Sequence, residues 1–274
     1  MNRRIVLRFG AATLAWPSLL LAQGPKITTV GFLFTPSRAT SQVPGLFSSA
    51  MREIGWVEGH NVTMEWRFAD GQASRSIPVV MLVAIDPVGS GFAQSLARPG
   101  GNVTGVLYAD PAFSAKSVQL LKEMFPGMRR LGYLYPAGVA VIQSYIDEME
   151  TAARALGVSS YRFSVSRPED VGAALTAAKN EGVDALRVAY VGAVQAATAQ
   201  ILEFTASNKI ATNYTVVTPV ERGGLMSYSP RLSENASRAA TFVDKVLKGA
   251  KPEALPFEYP TRYELVVNLK TAKA

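Results

Sequence analysis

Apolar residues recur along this chain with two alternating periods, and the alternation predicts strands and helices in turn. Residues 27–34 form an apolar strand that ends in a polar loop. Residues 43–54 carry Leu46, Phe47, Ala50, Met51 and Ile54 at helical spacing, and Gly55 stops them. A turn-rich link, 56–61, leads to an alternating strand over 62–68, and only a brief polar patch separates it from an apolar strand at 77–85. Asp86-Pro87 breaks that run. A short amphipathic segment expected as a helix, a Gly100-Gly101 turn and a second apolar strand follow, and a helix over 112–125 is ended by Pro126-Gly127.

The pattern then starts again. RLGYLY at 130–135 echoes VGFLF at 30–34, and each run leads into a loop containing proline, Pro36 or Pro136. A helix over 141–156 stops at Gly157 as the first stopped at Gly55, and 159–165 repeats the alternating strand. Further elements are a helix opened by Pro168-Glu169-Asp170, a strand at 183–191, a helix at 193–206, a strand at 210–216, a loop at 217–222 and a strand from Leu225. Thr218-Pro219-Val220 stands where Asp86-Pro87-Val88 stands, and Gly223-Gly224 where Gly100-Gly101 stands. The chain therefore reads as two related α/β halves, each ending its strands in loops that face a shared cleft.

The comparison exposes a gap. The second half holds helix, strand and helix over 168–206, whereas the first half holds only residues 69–76 at the corresponding place. A parallel crossover takes a dozen or more residues, so this patch cannot supply one. Either the strand at 77–85 takes a different place in the sheet, or the first lobe lacks its central strand. Beyond the halves, a helix over 233–247 turns Ala236, Ala239, Ala240, Phe242, Val243, Val246 and Leu247 inward and stops at Gly249. A linker at 252–260 and a strand at 263–269 follow, with no further turn or helix expected.

Composition narrows the chemistry. With 274 residues, 48% hydrophobic and 18% charged, the chain suits two ordinary globular cores. It has no cysteine, which excludes disulfides, thiolate metal sites and a cysteine nucleophile, and its one histidine, His60, lies on a turn-rich link. Residues 1–22 read as an export signal: Arg3, Arg4 and Arg8 precede a largely apolar run, and Leu20-Leu21-Ala22 offers a cleavage site. Arg3-Arg4 is similar to a twin-arginine signal. Cleavage there lowers the formal charge from +7 to about +4. That excess is scattered, not striped, and does not indicate nucleic acid. No G-x-S-x-G elbow accompanies His60, Gly89-Ser90-Gly91 lacks the lysine of a phosphate loop, and no metal cluster or dinucleotide fingerprint is present, so an enzyme is disfavoured.

The segments GFLFTPS, IGWVEGHNVTMEWRFADGQ, IPVVMLVAIDPVGSGFAQSLARPGGNVTGV, RGGLMSYSP, LKGAKPEALP and PTRYELVVNLKTAKA together resemble the solute-binding proteins of bacterial ABC importers, in the group allied to tryptophan- and tyrosine-binding examples. The resemblance implies a type I periplasmic binding protein: two doubly wound Rossmann-like lobes joined by a hinge of three crossings. Here the first lobe is incomplete, since members usually carry the missing helix, strand and helix and continue past the equivalent of Ala274. It implies a first lobe of residues 24–128 with about 230–259, and a second of 129–229 with about 260–274. It also implies an exported, periplasmic monomer without cofactor, whose partners are a small carboxylate ligand such as an amino acid and the permease and ATPase of an importer. A membrane-receptor sensor and a non-binding remnant are the alternatives.

In such a fold, loops at strand ends present N–H groups to the ligand carboxylate while aromatic rings cover its apolar part. The matching positions are Thr35, Ser37 and Asp86 in the first lobe, and Tyr135, Tyr190, Tyr214 and Ser227 in the second. Each has a second reading. Asp86 before Pro87 is equally suited to capping the next turn, Thr35 and Ser37 are ordinary turn residues, and the three tyrosines can pack at strand ends instead of stacking on a ligand.

Overall fold

A computed structural model describes residues 28–34, 43–68 and 77–273. The two-lobed α/β architecture expected from the sequence is present, and the second lobe is the complete one. Its sheet is built from β5 (Arg130–Pro136), β6 (Ser159–Val165), β7 (Ala185–Val188), β8 (Ala211–Tyr214), β9 (Met226–Pro230) and β10 (Tyr263–Val267), after the first-lobe strands β1 (Thr28–Phe34), β2 (Val62–Phe68), β3 (Val79–Ala84) and β4 (Val103–Leu107). Their order is β10-β9-β8-β7-β5-β6, parallel throughout except for the antiparallel β10. Because β5 pairs with both β6 and β7, the winding reverses between β5 and β7, which is where doubly wound sheets bind ligands.

Helices cover both faces, as a parallel sheet requires. On one side α2 (Phe113–Met124) and α3 (Ala140–Ala155) pack Val118, Leu121, Ile146 and Ala153 against Leu131, Tyr133 and Tyr135. On the other, α4 (Val171–Asn180), α5 (Gly192–Ala196) and α6 (Thr198–Ser207) pack Leu175, Val194 and Ile201 against Leu134, Leu186, Val188 and Tyr214. The helix expected to close the first lobe, α2, thus contributes to the core of the second. The helix expected over 193–206 is two helices that meet at Ala197, whose φ of −94° and ψ of 19° interrupt the first. The loop expected at 217–222 contains a helical turn, α7 (Thr218–Glu221), with Pro219 in its first turn, where a missing N–H costs nothing.

Burial pushes the Tyr133 and Tyr214 phenols up to about 12. In the unfolded chain a phenol titrates near about 10, so the native state keeps these protons longer. The stability they contribute is complete below pH 10 or so and is lost as the pH rises through about 12. Alkaline titration should therefore release buried tyrosinate in step with loss of circular dichroism. Titration of every tyrosine near pH 10 with structure intact would contradict this.

The first lobe is split. Strand β1 (Thr28–Phe34) pairs only with β2 (Val62–Phe68), and β3 (Val79–Ala84) pairs with β4 (Val103–Leu107), both in parallel. Among the described residues no ladder joins the two pairs. The patch at 69–76 lies outside the described residues, and among the described residues no strand stands between the two pairs. What holds the pairs together is a shared helical cover. α1 (Val43–Glu53) buries Phe47, Ala50 and Met51, and α8 (Leu232–Leu247) buries Ala236, Ala239, Ala240, Phe242 and Val243, in one core with Val62, Met64 and Val106. Trp56 Nε1 donates to Asp244 Oδ1 at 3.0 Å and ties the end of α1 to α8. The segment expected as a short helix after Pro87 is a series of turns instead. Gly91 and Gly100 have φ of 74° and 69°, and the Ser95 hydroxyl accepts from Arg98 N–H, so helical dihedrals are not sustained. At the other end, a short helix α9 (Leu269–Ala272) follows β10 where none was expected. Asn268 caps it, its Oδ1 accepting from the N–H groups of Lys270 and Thr271.

Candidate functional site

Three chain crossings join the lobes: 108–112 between β4 and α2, Arg231 between β9 and α8, and 259–262 before β10. Each has an aromatic ring at its second-lobe end, Phe113, Tyr228 and Tyr263, and the three rings stack on one another with centroids 5.3 to 5.6 Å apart. The crossings are also hydrogen-bonded together. Asp110 N–H donates to Tyr263 Oη at 2.8 Å, and Arg231 N–H to the Arg262 carbonyl at 3.0 Å. Arg262 pairs with Glu234 at 3.1 Å and Arg231 with Glu264 at 3.5 Å across the same strip.

Next to this hinge, Tyr108 reaches from the end of β4 to the second lobe. Its hydroxyl donates to the Thr215 carbonyl at 3.2 Å, and its ring meets Phe113 and Tyr145 edge-on. Thr215 Oγ1 in turn accepts the Tyr190 N–H at 2.9 Å. Burial raises the Tyr108 and Tyr145 phenols above the ordinary value, so both stay neutral donors. The result is a tyrosine-lined rim, Tyr108, Tyr145 and Tyr190, beside the switch point between β5 and β7. Such a rim can cover an apolar ligand body and donate hydrogen bonds to its polar end.

The candidates from sequence fall into separate places. Thr35 and Ser37 lie outside the described residues. Asp86 is exposed with φ of 44°, and its Oδ1 accepts the Gly89 N–H at 2.8 Å, so it caps the turn at the end of β3. Its charge also lies close enough to Tyr145 to hold that phenol's proton more tightly. Tyr135 is buried beneath α3. Tyr190, Tyr214 and Ser227 are brought together: Tyr190 bonds the residue after Tyr214, and Tyr214 faces Ser227 in the β8–β9 register. Tyr214 and Ser227 are 1% and 0% exposed, and neither hydroxyl has a partner. The residues missed from sequence are Tyr108, Phe113, Tyr228, Tyr263 and Arg187. All but Arg187 are aromatic and sit beside a lobe crossing, a signal that becomes visible only once the crossings are located.

The two readings of Asp86 separate by mutation. Asp86→Asn keeps a short polar cap that tolerates positive φ and should leave stability nearly unchanged. Asp86→Ala loses both and should cost about 1–2 kcal/mol in thermal denaturation. A ligand contact by the carboxylate would show instead as weakened binding by Asp86→Asn at unchanged midpoint. Among the described residues no group of three metal-ligating side chains and no helix long and apolar enough to cross a membrane is found.

Comparison with known proteins gives a consistent result. A family model for ABC transporter substrate binding proteins matches residues 67–274. The tyrosine-binding protein of Clostridioides difficile strain R20291 is 23% identical over 202 residues, which is 74% of this chain and 58% of the relative's length. Among solved structures, an ABC domain from Streptococcus pneumonia in complex with L-Trp superposes with a TM-score of 0.81 at 22% identity, covering 90% of this chain and 94% of that one. A conserved domain protein from Vibrio cholerae matches with a TM-score of 0.81 at 21% identity, covering 90% and 93%.

Proposed function

This chain belongs to the ABC transporter substrate-binding protein family, and we propose that it captures an amino acid or related small carboxylate between its lobes, outside the cytoplasm, and delivers it to the permease and ATPase of an importer. The observation that carries the reading is the tyrosine rim at the switch point, closed across the lobes by Tyr108 on Thr215. Relatives described as tyrosine-binding and as a complex with L-Trp make aromatic amino acids the first ligands to test.

In this mechanism no bond is made or broken. The ligand's ring lies among Tyr108, Tyr145 and Tyr190, the turn at Asp86 closes from the first lobe, and the hinge stack fixes the axis of closure. Tyr135, Tyr214 and Ser227 support the floor from within the core. The split first-lobe sheet favours a second reading, a family member that has lost its ligand. Thermal denaturation decides between them. A ligand that binds only the folded state, at about 100 times its Kd, stabilises it by about 2.7 kcal/mol. L-Tyr, L-Trp, L-Phe and branched amino acids should therefore include at least one that raises the midpoint. No rise with any of them at saturation would overturn the transport reading and leave the remnant.

A further inference from the structure

Arg187 stands near the carboxyl end of β7 in the second-lobe sheet and is 4% exposed. Its Nη1 donates to Asn213 Oδ1 at 2.5 Å and to the Tyr214 carbonyl at 2.9 Å, and its Nη2 reaches the Tyr228 carbonyl at 3.5 Å. The guanidinium carbon lies 5.6 Å from the centroid of the Phe113 ring, within cation–π range. These partners come from α2, β8 and β9, and every one is neutral. Burying a guanidinium among neutral groups is costly, and an apolar side chain would fill the space without that cost. What an apolar side chain lacks is the rigid planar fork, which holds several acceptors in one geometry.

The partners are the parts on which the cleft turns. Phe113 and Tyr228 are two of the three stacked hinge rings, and Tyr263 lies against both. The helix that carries Phe113 is held a second time, since Asn213 Nδ2 stands 3.4 Å from the Ser117 carbonyl and Oγ one turn further along α2. On β8 the bonded carbonyl belongs to Tyr214, and the next residue is Thr215, whose carbonyl accepts from Tyr108 Oη and whose Oγ1 accepts the Tyr190 N–H. One side chain thus joins the hinge rings to the strand end that carries the tyrosine rim.

We propose that Arg187 is a positioning residue for ligand capture: it fastens the hinge rings and the tyrosine rim to the second-lobe sheet as one rigid body, against which the first lobe swings. It acts through Phe113, Asn213, Tyr214 and Tyr228 and touches no ligand itself. The fastening stands on these contacts; its consequence for binding rests on the ligand-capture reading.

The chain has no cysteine, so spin labels on Glu53→Cys in α1 and Thr151→Cys in α3, both exposed positions, report the separation of the lobes. Double electron–electron resonance on the folded protein should give a broader distance distribution with Arg187→Met than without it. Ile201→Ala, which loses stability in the core on the opposite face of the same sheet, should keep the narrow distribution. By calorimetry, L-tyrosine should bind Arg187→Met about tenfold more weakly, as when the competent arrangement falls to about a tenth of the population. Should Arg187→Met fail to fold, Arg187→Lys replaces it: the ammonium keeps the charge but not the fork, and the distribution should still broaden. An unchanged distribution in the folded variant, equal broadening by Ile201→Ala, or undiminished L-tyrosine affinity overturns the role. If L-tyrosine binds neither the variant nor the parent, the ligand-capture reading is weakened while the distances still decide whether Arg187 fastens the hinge.

Discussion

Gly105→Ala should unfold the first lobe while leaving the second intact. Gly105 lies in β4 opposite Met81 of β3, with φ of 146°, a conformation L side chains rarely adopt. A Cβ there would stand 2.0 Å from the Met81 carbonyl oxygen and 2.6 Å from its nitrogen. Both are backbone atoms, so no side-chain rotation relieves the clash, and the two strands must separate. On the other side, the Gly105 carbonyl accepts the Glu258 N–H, so the shift also disturbs the third crossing. The expected cost is about 4 kcal/mol or more, in the range reserved for broken backbone packing. With no ladder joining β3 and β4 to another pair among the described residues, the loss should be local. Hydrogen exchange should show β3 and β4 amides unprotected while β5 to β8 keep their protection. A variant with wild-type protection in β3 would refute this geometry.

Phe113→Ala should be the second most damaging substitution and should affect the hinge. The ring is 3% exposed, stacks on Tyr228 and Tyr263, meets Tyr108 edge-on and lies under Arg187. Removing it leaves a cavity at the meeting point of all three crossings, at about 3–5 kcal/mol for a buried Phe→Ala change. Phe113→Leu fills most of that volume and should recover much of the stability without restoring the aromatic stack. The checking measurement is chemical denaturation of the three proteins combined with small-angle scattering. Phe113→Ala should lower the midpoint furthest, and both variants should widen the distribution of lobe separations. Unchanged scattering by Phe113→Leu would show that packing volume alone, and no stack, sets the hinge.

Element type was largely legible because strands are either apolar runs, as at 130–136, or alternate, as at 159–165, and amphipathic helices keep their period, as α8 does with Ala236, Ala239, Ala240 and Val243. The errors came where a local rule was outweighed. The segment after Pro87 has helical spacing, but positive φ at Gly91 and Gly100 forces turns. The helix at 193–206 has no local stop signal, yet it breaks at Ala197, where α5 ends and α6 begins. For α2, sequence order suggested the first lobe, whereas its buried face fits the second.

The candidate site was less legible than the fold. Sequence placed Asp86 just past the end of β3 and Tyr214 at the end of β8, but it had no means of telling a rim residue from a floor residue. Tyr190 and Tyr214 follow similar strands, yet Tyr190 is half-buried beside the cleft and Tyr214 is enclosed beneath Gly224, where even a Cβ would stand 2.5 Å from the ring. Tyr214 is the last residue of β8, whereas Tyr190 lies two residues past the end of β7, and that offset decides which.

By itself, then, the order of residues determined the two-fold repetition of the α/β pattern, the family, and the short patch at 69–76 that cannot hold a crossover, because these depend on period and length along the chain. The tertiary structure alone decided that the first-lobe sheet divides into two pairs under a common helical cover, that three aromatic rings distant in sequence meet at the hinge, and that Arg187 is buried among neutral partners. Those facts depend on which faces meet across the molecule, and strand register and burial, not spacing, set them.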